Sequence, residues 1–187
     1  MTTLDSLRER LPEHARDLKL NLGSVLTASG APGLTERQIW AVAYGAALAS
    51  RHPPFAAALG ELAAAHLEPA YLEGARAAAA IMGMTNIYYR FLHLVEDPEY
   101  ASMPARLRMN VIGNPGIDKT DFELIALAVS AVNGCGACVT AHERQVRQQG
   151  LSREGVQSAI RIAATVHAVA RVLENHAGAA TPVAAAA

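Results

Sequence analysis

Residues 120–143 read TDFELIALAVSAVNGCGACVTAHE, and they predict two helices joined by a tight turn. The segment Thr120–Glu123 has the spacing of a capping box, which predicts that the first helix begins there. Asn133–Gly134 predicts its end, because glycine readily takes the left-handed conformation that stops a helix. Cys135 and Cys138 then open the second helix, which we expect to fold back antiparallel to the first.

Helix start and stop signals continue along the rest of the chain. Thr35–Gln38 is another capping box, and Pro53–Pro54 and Asp97–Pro98 separate further apolar segments. Hydrophobic residues make up 51% of the sequence and aromatic residues only 5%, a balance that favours closely packed helices over sheets. The sequence therefore predicts an all-α fold, a single domain over 1–176 followed by a disordered tail at 177–187. We expect helices over about 35–50, 68–94, 120–133, 135–150 and 152–175, one more ending near 66, and a turn-rich loop at 110–118.

The chain matches itself when it is shifted by 85 residues, so that Thr35 falls on Thr120. Both halves then run in the same order: capping box, apolar helix, short break, helix, and long apolar helix. This register predicts a duplicated helical unit, that is, two related antiparallel helical repeats. The degenerate repeat would span about 35–92 and the catalytic repeat about 120–176. A chance match between two alanine-rich helical segments is the alternative.

The charge and hydropathy of the chain argue against several classes of partner. The formal net charge is −1, the pI is about 6.7 and no block of basic residues occurs, so we expect no nucleic acid and no membrane as partner. The charged N-terminus lacks the apolar core of a signal peptide. No stretch approaches the roughly 20 apolar residues that span a bilayer. We therefore expect a cytoplasmic protein, in which a lone CxxC is more often catalytic or metal-binding than structural.

The CxxC motif and the histidine after it predict a redox centre. Cys135 and Cys138 are the only cysteines, and His142 follows Cys138 by one helical turn. Two thiols at this spacing can close a disulfide, and an imidazole one turn away can take up or return a thiolate's proton. A thioredoxin motif is excluded because it requires a βαβ context. Two other interpretations stay open, a pair of inert buried thiols and a zinc site.

Glu123 has two competing interpretations. As the third residue of a capping box it would only bond the backbone N–H of Thr120. However, the segment Phe122–Val132 is apolar nearly all round, which predicts burial, and an unpaired buried carboxylate is costly. In an antiparallel hairpin, Glu123 and His142 lie about equally far from the turn, with Cys138 one turn nearer to it. We therefore favour a proton path from Glu123 through His142 to Cys138 over simple capping.

The core motif is Glu123 followed by the CxxCxxxH pattern of residues 135–142. Other notable segments are LNLGS at 20–24, AIMGMTNIYYR at 80–90, DPEY at 97–100 and RMNVIGNPG at 108–116. In all of these segments the chain resembles the alkyl hydroperoxidase D family, within the carboxymuconolactone decarboxylase-like superfamily. The resemblance covers essentially the whole chain except its C-terminal tail.

The resemblance implies an all-α fold of the carboxymuconolactone decarboxylase type, assembled as a homotrimer. It also implies a dithiol peroxidase that reduces alkyl hydroperoxides and re-reduces a peroxiredoxin, the C subunit of alkyl hydroperoxide reductase. No cofactor and no metal would be bound, because the electrons pass through a Cys135–Cys138 disulfide. Their source would be dihydrolipoyl groups of a lipoylated dehydrogenase acyltransferase, regenerated by lipoamide dehydrogenase and NADH.

The resemblance further assigns roles within the site. Cys138 would attack the peroxide, Cys135 would resolve the oxidised sulfur, and Glu123 and His142 would relay protons. Some relatives carry a histidine just before the second cysteine, where this chain has Ala137, and this departure concerns rate and pH dependence rather than reaction class. Two alternatives stay open: a decarboxylase-type enzyme on the same fold, which needs no dithiol, and a non-enzymatic redox-sensing oligomer.

Overall fold

The computed structural model describes residues 2–179, and this part of the chain is helical without any β-strand. The all-α prediction is therefore confirmed. Within the described residues no helix is long and apolar enough to cross a membrane. A 3₁₀ turn at Glu13–Ala15 separates the first two α-helices. The α-helices are α1 Leu4–Glu9, α2 Arg16–Val25, α3 Glu36–Ala49, α4 Pro53–Ala63, α5 Pro69–Val95, α6 Pro98–Ser102, α7 Asn110–Gly113, α8 Lys119–Asn133, α9 Gly136–Gln148 and α10 Arg153–Ala179.

Local sequence signals account for most of the helix ends. Thr35 forms the predicted capping box at α3, because its side chain accepts from Gln38 N–H while Gln38 Oε1 accepts from Thr35 N–H. Helices α4, α5 and α6 each begin with proline in the first turn, where the missing N–H costs nothing. Gly134, at φ 71°, ends α8 in the left-handed conformation that its sequence predicts.

The start of α8 differs from the prediction. The helix begins at Lys119, and the side chain of Asp118 caps it by accepting from Asp121 N–H at 3.1 Å. The predicted capping box Thr120–Glu123 is therefore wrong, because Asp118 has already satisfied the first turn. This correction removes the capping interpretation of Glu123, whose carboxylate is free to bond elsewhere.

The bounds of two further helical segments differ from the sequence prediction. The segment 110–118, expected as a loop, begins with the short helix α7. Helix α10 continues through Ala179, beyond its predicted end near residue 175. Residues 180–187 of the predicted disordered tail lie outside the described part of the chain.

Helices α3 and α8 form the centre of the fold. They pack against each other, and each also contacts both long helices, α5 and α10. Gly45 permits this close approach, because a Cβ at that position would lie 2.5 Å from Ile125 Cγ2. Helix α4 packs against α3, and helix α9 packs against α8.

The helices of the two halves follow the same order along the chain. Shifting α3, α4 and α5 by 85 residues brings their bounds to within two residues of those of α8, α9 and α10. This agreement is what an internal repeat predicts, and the common origin of the two halves stays a prediction.

A buried carboxylate ties the starts of α3, α5 and α8 together. Asp121 accepts a hydrogen bond from Gln38 Nε2 at 2.8 Å and another from Tyr71 OH at 2.9 Å. The Arg37 guanidinium lies 3.4 Å from the same carboxylate. Burial and the bond to Asp121 raise the pKa of Tyr71. The cluster fixes the relative position of these three helices at the start of α8, and the cysteines follow the opposite end of that helix.

Candidate active site

The α8–α9 turn places the two cysteines at the start of α9. Gly134 turns the chain, and Cys135 N–H donates to Ser130 O at 3.1 Å. Cys135 is the N-cap of α9, and its Sγ accepts from Cys138 N–H at 3.3 Å. Because the N-terminus of a helix favours negative charge, Cys135 Sγ lies where a thiolate is stabilised.

The two cysteines form a disulfide and differ in their surroundings. Their Cα atoms are 5.3 Å apart. Cys135 is 0% exposed, whereas Cys138 is 6% exposed and lines a cavity of about 220 Å³. Of the pair, Cys138 is therefore the residue that a molecule in this cavity meets.

The cavity lies between α5, α7 and α9, and its walls are mainly apolar. Apolar walls with a few polar groups are typical of sites for small organic molecules. The lining residues are Met82, Thr85, Tyr89, Met109, Ile112, Ala137, Cys138, Ala141 and His142.

Glu123 and His142 meet across the α8–α9 hairpin. Glu123 Oε2 lies 2.6 Å from His142 Nδ1, and both side chains are largely buried. The contact satisfies a carboxylate that would otherwise be costly within an apolar helix. The predicted pairing of Glu123 with His142 is thus present in the structure.

The other ring nitrogen of His142 has a different partner from the predicted one. Its Nε2 lies 3.2 Å from Met82 Sδ rather than in a hydrogen bond with Cys138. His142 and Cys138 nevertheless line the same cavity. In the disulfide form, the structure therefore joins His142 to Glu123 and to Met82, and it shows no hydrogen bond between His142 and Cys138.

A chain of polar side chains lies behind Met82 and connects α5 to the α8–α9 turn. Ser130 Oγ and Asn86 Nδ2 approach Met82 Sδ at 3.5 and 3.6 Å, and Asn86 Nδ2 also donates to Ser130 Oγ at 2.9 Å. Asn133 Nδ2 donates to Asn86 Oδ1 at 3.0 Å, and Arg90 Nη1 donates to Asn133 O at 2.8 Å. These bonds hold the backbone just before Cys135.

Comparison of the sequence with known proteins identifies a family to which the chain is similar. A profile of the carboxymuconolactone decarboxylase family matches residues 98–181, which include α8 and α9. Alkyl hydroperoxide reductase AhpD of Rhodospirillum centenum is 54% identical, over 94% of this chain and 92% of that protein. The AhpD of Anaeromyxobacter dehalogenans is also 54% identical, over 100% of this chain and 99% of that protein. The chain belongs to the AhpD family. The AhpD of Frankia alni is 52% identical, with 92% of this chain and 91% of the relative aligned.

The sequence did not identify Met82, which contacts His142 in this AhpD-family site, or Asn86, which contacts Met82 from behind. Both belong to the segment 80–90, in which residues 82, 86 and 89 fall on one helical face. Asn86 and Ser130 are polar residues within apolar segments, and this is the sequence signal that could have identified the cluster. Among the described residues no three His, Cys, Asp or Glu side chains are grouped to hold a metal ion.

Proposed function

We propose that this AhpD-family chain is a dithiol peroxidase that reduces alkyl hydroperoxides. The observation that carries the proposal is a CxxC disulfide whose Cys138 lines an apolar cavity beside the buried pair His142–Glu123. An alkyl hydroperoxide combines an apolar chain, which suits the walls, with a terminal oxygen that a thiolate can attack. The names of the relatives at 52 to 54% identity agree with this substrate class.

In the oxidising half of the cycle, the Cys138 thiolate attacks the terminal oxygen of the peroxide. The O–O bond breaks, Cys138 becomes a sulfenic acid, and the alkoxide leaves as the alcohol after taking a proton from His142, which regains one from solvent. Cys135 then attacks the Cys138 sulfur, so that a disulfide forms and water leaves. One hydroperoxide and two thiols thus give one alcohol, one water and one disulfide.

In the reducing half, a dihydrolipoyl thiolate attacks the disulfide. The attack falls on Cys138, because Cys135 is fully buried while Cys138 lines the cavity. Cys135 leaves as a thiolate, and the N–H of Cys138 and the start of α9 stabilise it. The second lipoyl thiol then closes the lipoyl disulfide and releases Cys138.

The proposed electron donors and acceptors follow from this cycle. A lipoylated dehydrogenase acyltransferase would deliver the dihydrolipoyl group, and lipoamide dehydrogenase would regenerate it with NADH. A peroxiredoxin would be a second acceptor, since its disulfide can exchange with the same dithiol. With these partners, we propose a cytoplasmic location for the protein.

We also propose a homotrimer, supported by an exposed apolar surface at the end of α5 and on α6. An exposed patch of this kind is typical of a protein interface. Leu94 is 71% exposed, and the rings of Phe91 and Tyr100 stack edge to face at 5.3 Å. Light scattering after gel filtration should give three chains for the wild type and fewer for Leu94→Glu. A monomeric wild type would contradict the assembly and leave the chemistry untouched.

A single-turnover experiment tests the peroxidase proposal itself. Reduced protein is mixed with cumene hydroperoxide, and free thiols and cumyl alcohol are counted together. We expect two thiols lost for each alcohol formed in the wild type, and no disulfide in Cys138→Ser. A disulfide that forms once but supports no catalytic peroxide consumption when excess dihydrolipoamide is supplied would favour a redox sensor, and alcohol formation by Cys138→Ser would end the assignment of Cys138.

A further inference from the structure

The thioether of Met82 contacts His142. The peroxidase cycle proposed above gives Met82 no role. Met82 Sδ lies 3.2 Å from His142 Nε2, and the residue is 1% exposed although it lines the cavity. Its position is fixed from behind by Ser130 Oγ at 3.5 Å and Asn86 Nδ2 at 3.6 Å. The contact is therefore part of a packed arrangement and not an incidental approach.

The chemistry of sulfur decides where the proton of His142 lies. A thioether has lone pairs but no hydrogen, so it can only accept, and the contact is attractive only when Nε2 carries a proton. At Nδ1, the Glu123 carboxyl group at 2.6 Å can share a proton in either direction. A neutral ring that donates from Nδ1 to Glu123 has a bare Nε2, whereas a ring that accepts at Nδ1, or one protonated at both nitrogens, carries a proton on Nε2. The contact with Met82 Sδ favours the states in which Nε2 carries the proton.

We propose that Met82 is a positioning residue that keeps a proton on His142 Nε2 while the Cys135–Cys138 disulfide is closed. The inference rests on the proposed peroxidase function. When the reductant releases Cys138 as a thiolate, the proton moves from Nε2 to that sulfur, and the bare Nε2 then takes it back before the next peroxide arrives. Met82 itself gains and loses neither electrons nor protons.

The other groups around the ring leave this role to Met82. Glu123 of α8 faces Nδ1, on the opposite side of the ring from Nε2. The titratable groups that share the cavity are Cys138, on the same helix as His142, and Tyr89 of α5. Helix α7 contributes Ile112, which is apolar and does not titrate. Cys138 is held in the disulfide in this state, so it cannot accept the proton.

Ring nitrogen spectra test the proposal directly. Protein labelled with ¹⁵N-histidine is compared, in its disulfide form, with Met82→Leu and Met82→Ile, which remove the acceptor and keep a similar volume. Met84→Leu is the matched control, because Met84 lies on the same helix, is half-buried and is not among the residues lining the cavity. His142→Gln assigns the signals.

We expect Nε2 of His142 to carry a proton near neutral pH in the wild type and in Met84→Leu. In Met82→Leu and Met82→Ile a bare Nε2 should be populated under the same conditions. An unchanged, protonated Nε2 in either folded Met82 variant would overturn the inference. This readout needs no turnover, so it stands even if the peroxidase proposal fails.

Kinetics of disulfide reduction give a second readout that a purely structural role would not move. The rate of reduction by dihydrolipoamide is followed against pH for the wild type, Met82→Leu and Met84→Leu. Loss of one weak hydrogen bond should move the alkaline limb of the Met82→Leu profile down by about 0.5 to 1 pH unit, a three- to tenfold rate difference there. A profile that only scales, without moving along the pH axis, would contradict the proposed role. A wild type that dihydrolipoamide does not reduce would instead contradict the proposed function.

Discussion

His142 Nδ1 lies 2.6 Å from Glu123 Oε2, across the contact between α9 and α8. The two residues are 19 positions apart, and the α8–α9 turn brings them level in the hairpin. This pairing explains why a carboxylate occurs within the apolar segment Phe122–Val132 of α8. It also distinguishes Glu123 from Asp121, a buried carboxylate on the same helix that bonds Gln38 and Tyr71 instead.

Replacement of Glu123 should affect chemistry more than folding. Glu123→Gln keeps the shape of the side chain but removes the group that holds and polarises His142. Because positioned acid–base groups contribute factors of about 10² or more, kcat for cumene hydroperoxide should fall about 100-fold. Peroxide turnover and thermal unfolding are measured together. A variant that keeps half of the wild-type kcat would remove Glu123 from the relay.

Replacement of Asp121 should affect folding more than chemistry. It therefore serves as the matched carboxylate control for Glu123. Asp121→Asn keeps the volume but weakens the bonds to Gln38, Tyr71 and Arg37. Loss of charge-assisted bonds at a buried site should lower the free energy of unfolding by about 1 to 3 kcal/mol. Urea titration measures the loss, and kcat should stay within a factor of about three of wild type. A 100-fold loss of kcat with unchanged stability would show that the two carboxylates are not separated by role.

Ala137 lies between the two cysteines of the motif, just before Cys138. Ala137 lines the cavity next to Cys138, so Ala137→His would put a base beside that sulfur. We expect the rate of peroxide reduction below neutral pH to rise by up to about tenfold, because a second group can then take the thiol proton. Stopped-flow turnover from about pH 5 to 8 measures it. An unchanged profile would mean that Glu123 and His142 already supply all the proton transfer that the step uses.

The stability of the fold should depend on pH through His167 of α10. Burial, and then the nearby Arg171, lower the pKa of His167. The unfolded chain therefore binds a proton near pH 6.5 that the folded chain does not bind until lower pH, so stability falls as the pH drops below about 6.5. His167→Gln should flatten the dependence of the free energy of unfolding between about pH 7 and 5.

Urea titrations at several pH values measure this slope. The same substitution at the exposed His93 reports what removing a histidine does by itself. If His167→Gln keeps the wild-type slope, the half-buried imidazole of His167 is not the source of the acid sensitivity.

Sequence alone could predict the hairpin and the pairing of Glu123 with His142. Both follow from local signals, since Gly134 fixes the turn and an antiparallel hairpin then aligns positions equally far from it. The apolar character of the segment around Glu123 predicts its pairing, even though the predicted capping box Thr120–Glu123 is wrong. Asp118 caps the helix in place of Thr120, because the carboxylate of Asp118 accepts from the free N–H of Asp121 in the first turn.

The partner of His142 Nε2 could not be predicted in the same way. Met82 is 60 residues away in sequence, on a helix whose placement depends on packing against both α3 and α8. A methionine in an apolar segment is ordinarily a core residue, and nothing in its spacing distinguishes it from Met84. The bonds from Asn86 and Ser130 that fix its sulfur become visible only when α5 and α8 are brought together.

The measurement that tests the account most directly is NADH oxidation in a reconstituted system. It contains lipoamide dehydrogenase, a lipoylated acyltransferase domain and cumene hydroperoxide, with wild-type protein or with Cys138→Ser. The account predicts NADH consumption that requires the lipoyl domain, the peroxide and Cys138, with cumyl alcohol formed in equal amount. NADH consumption that persists unchanged with Cys138→Ser, or none from a wild type whose disulfide titrates normally, would contradict it.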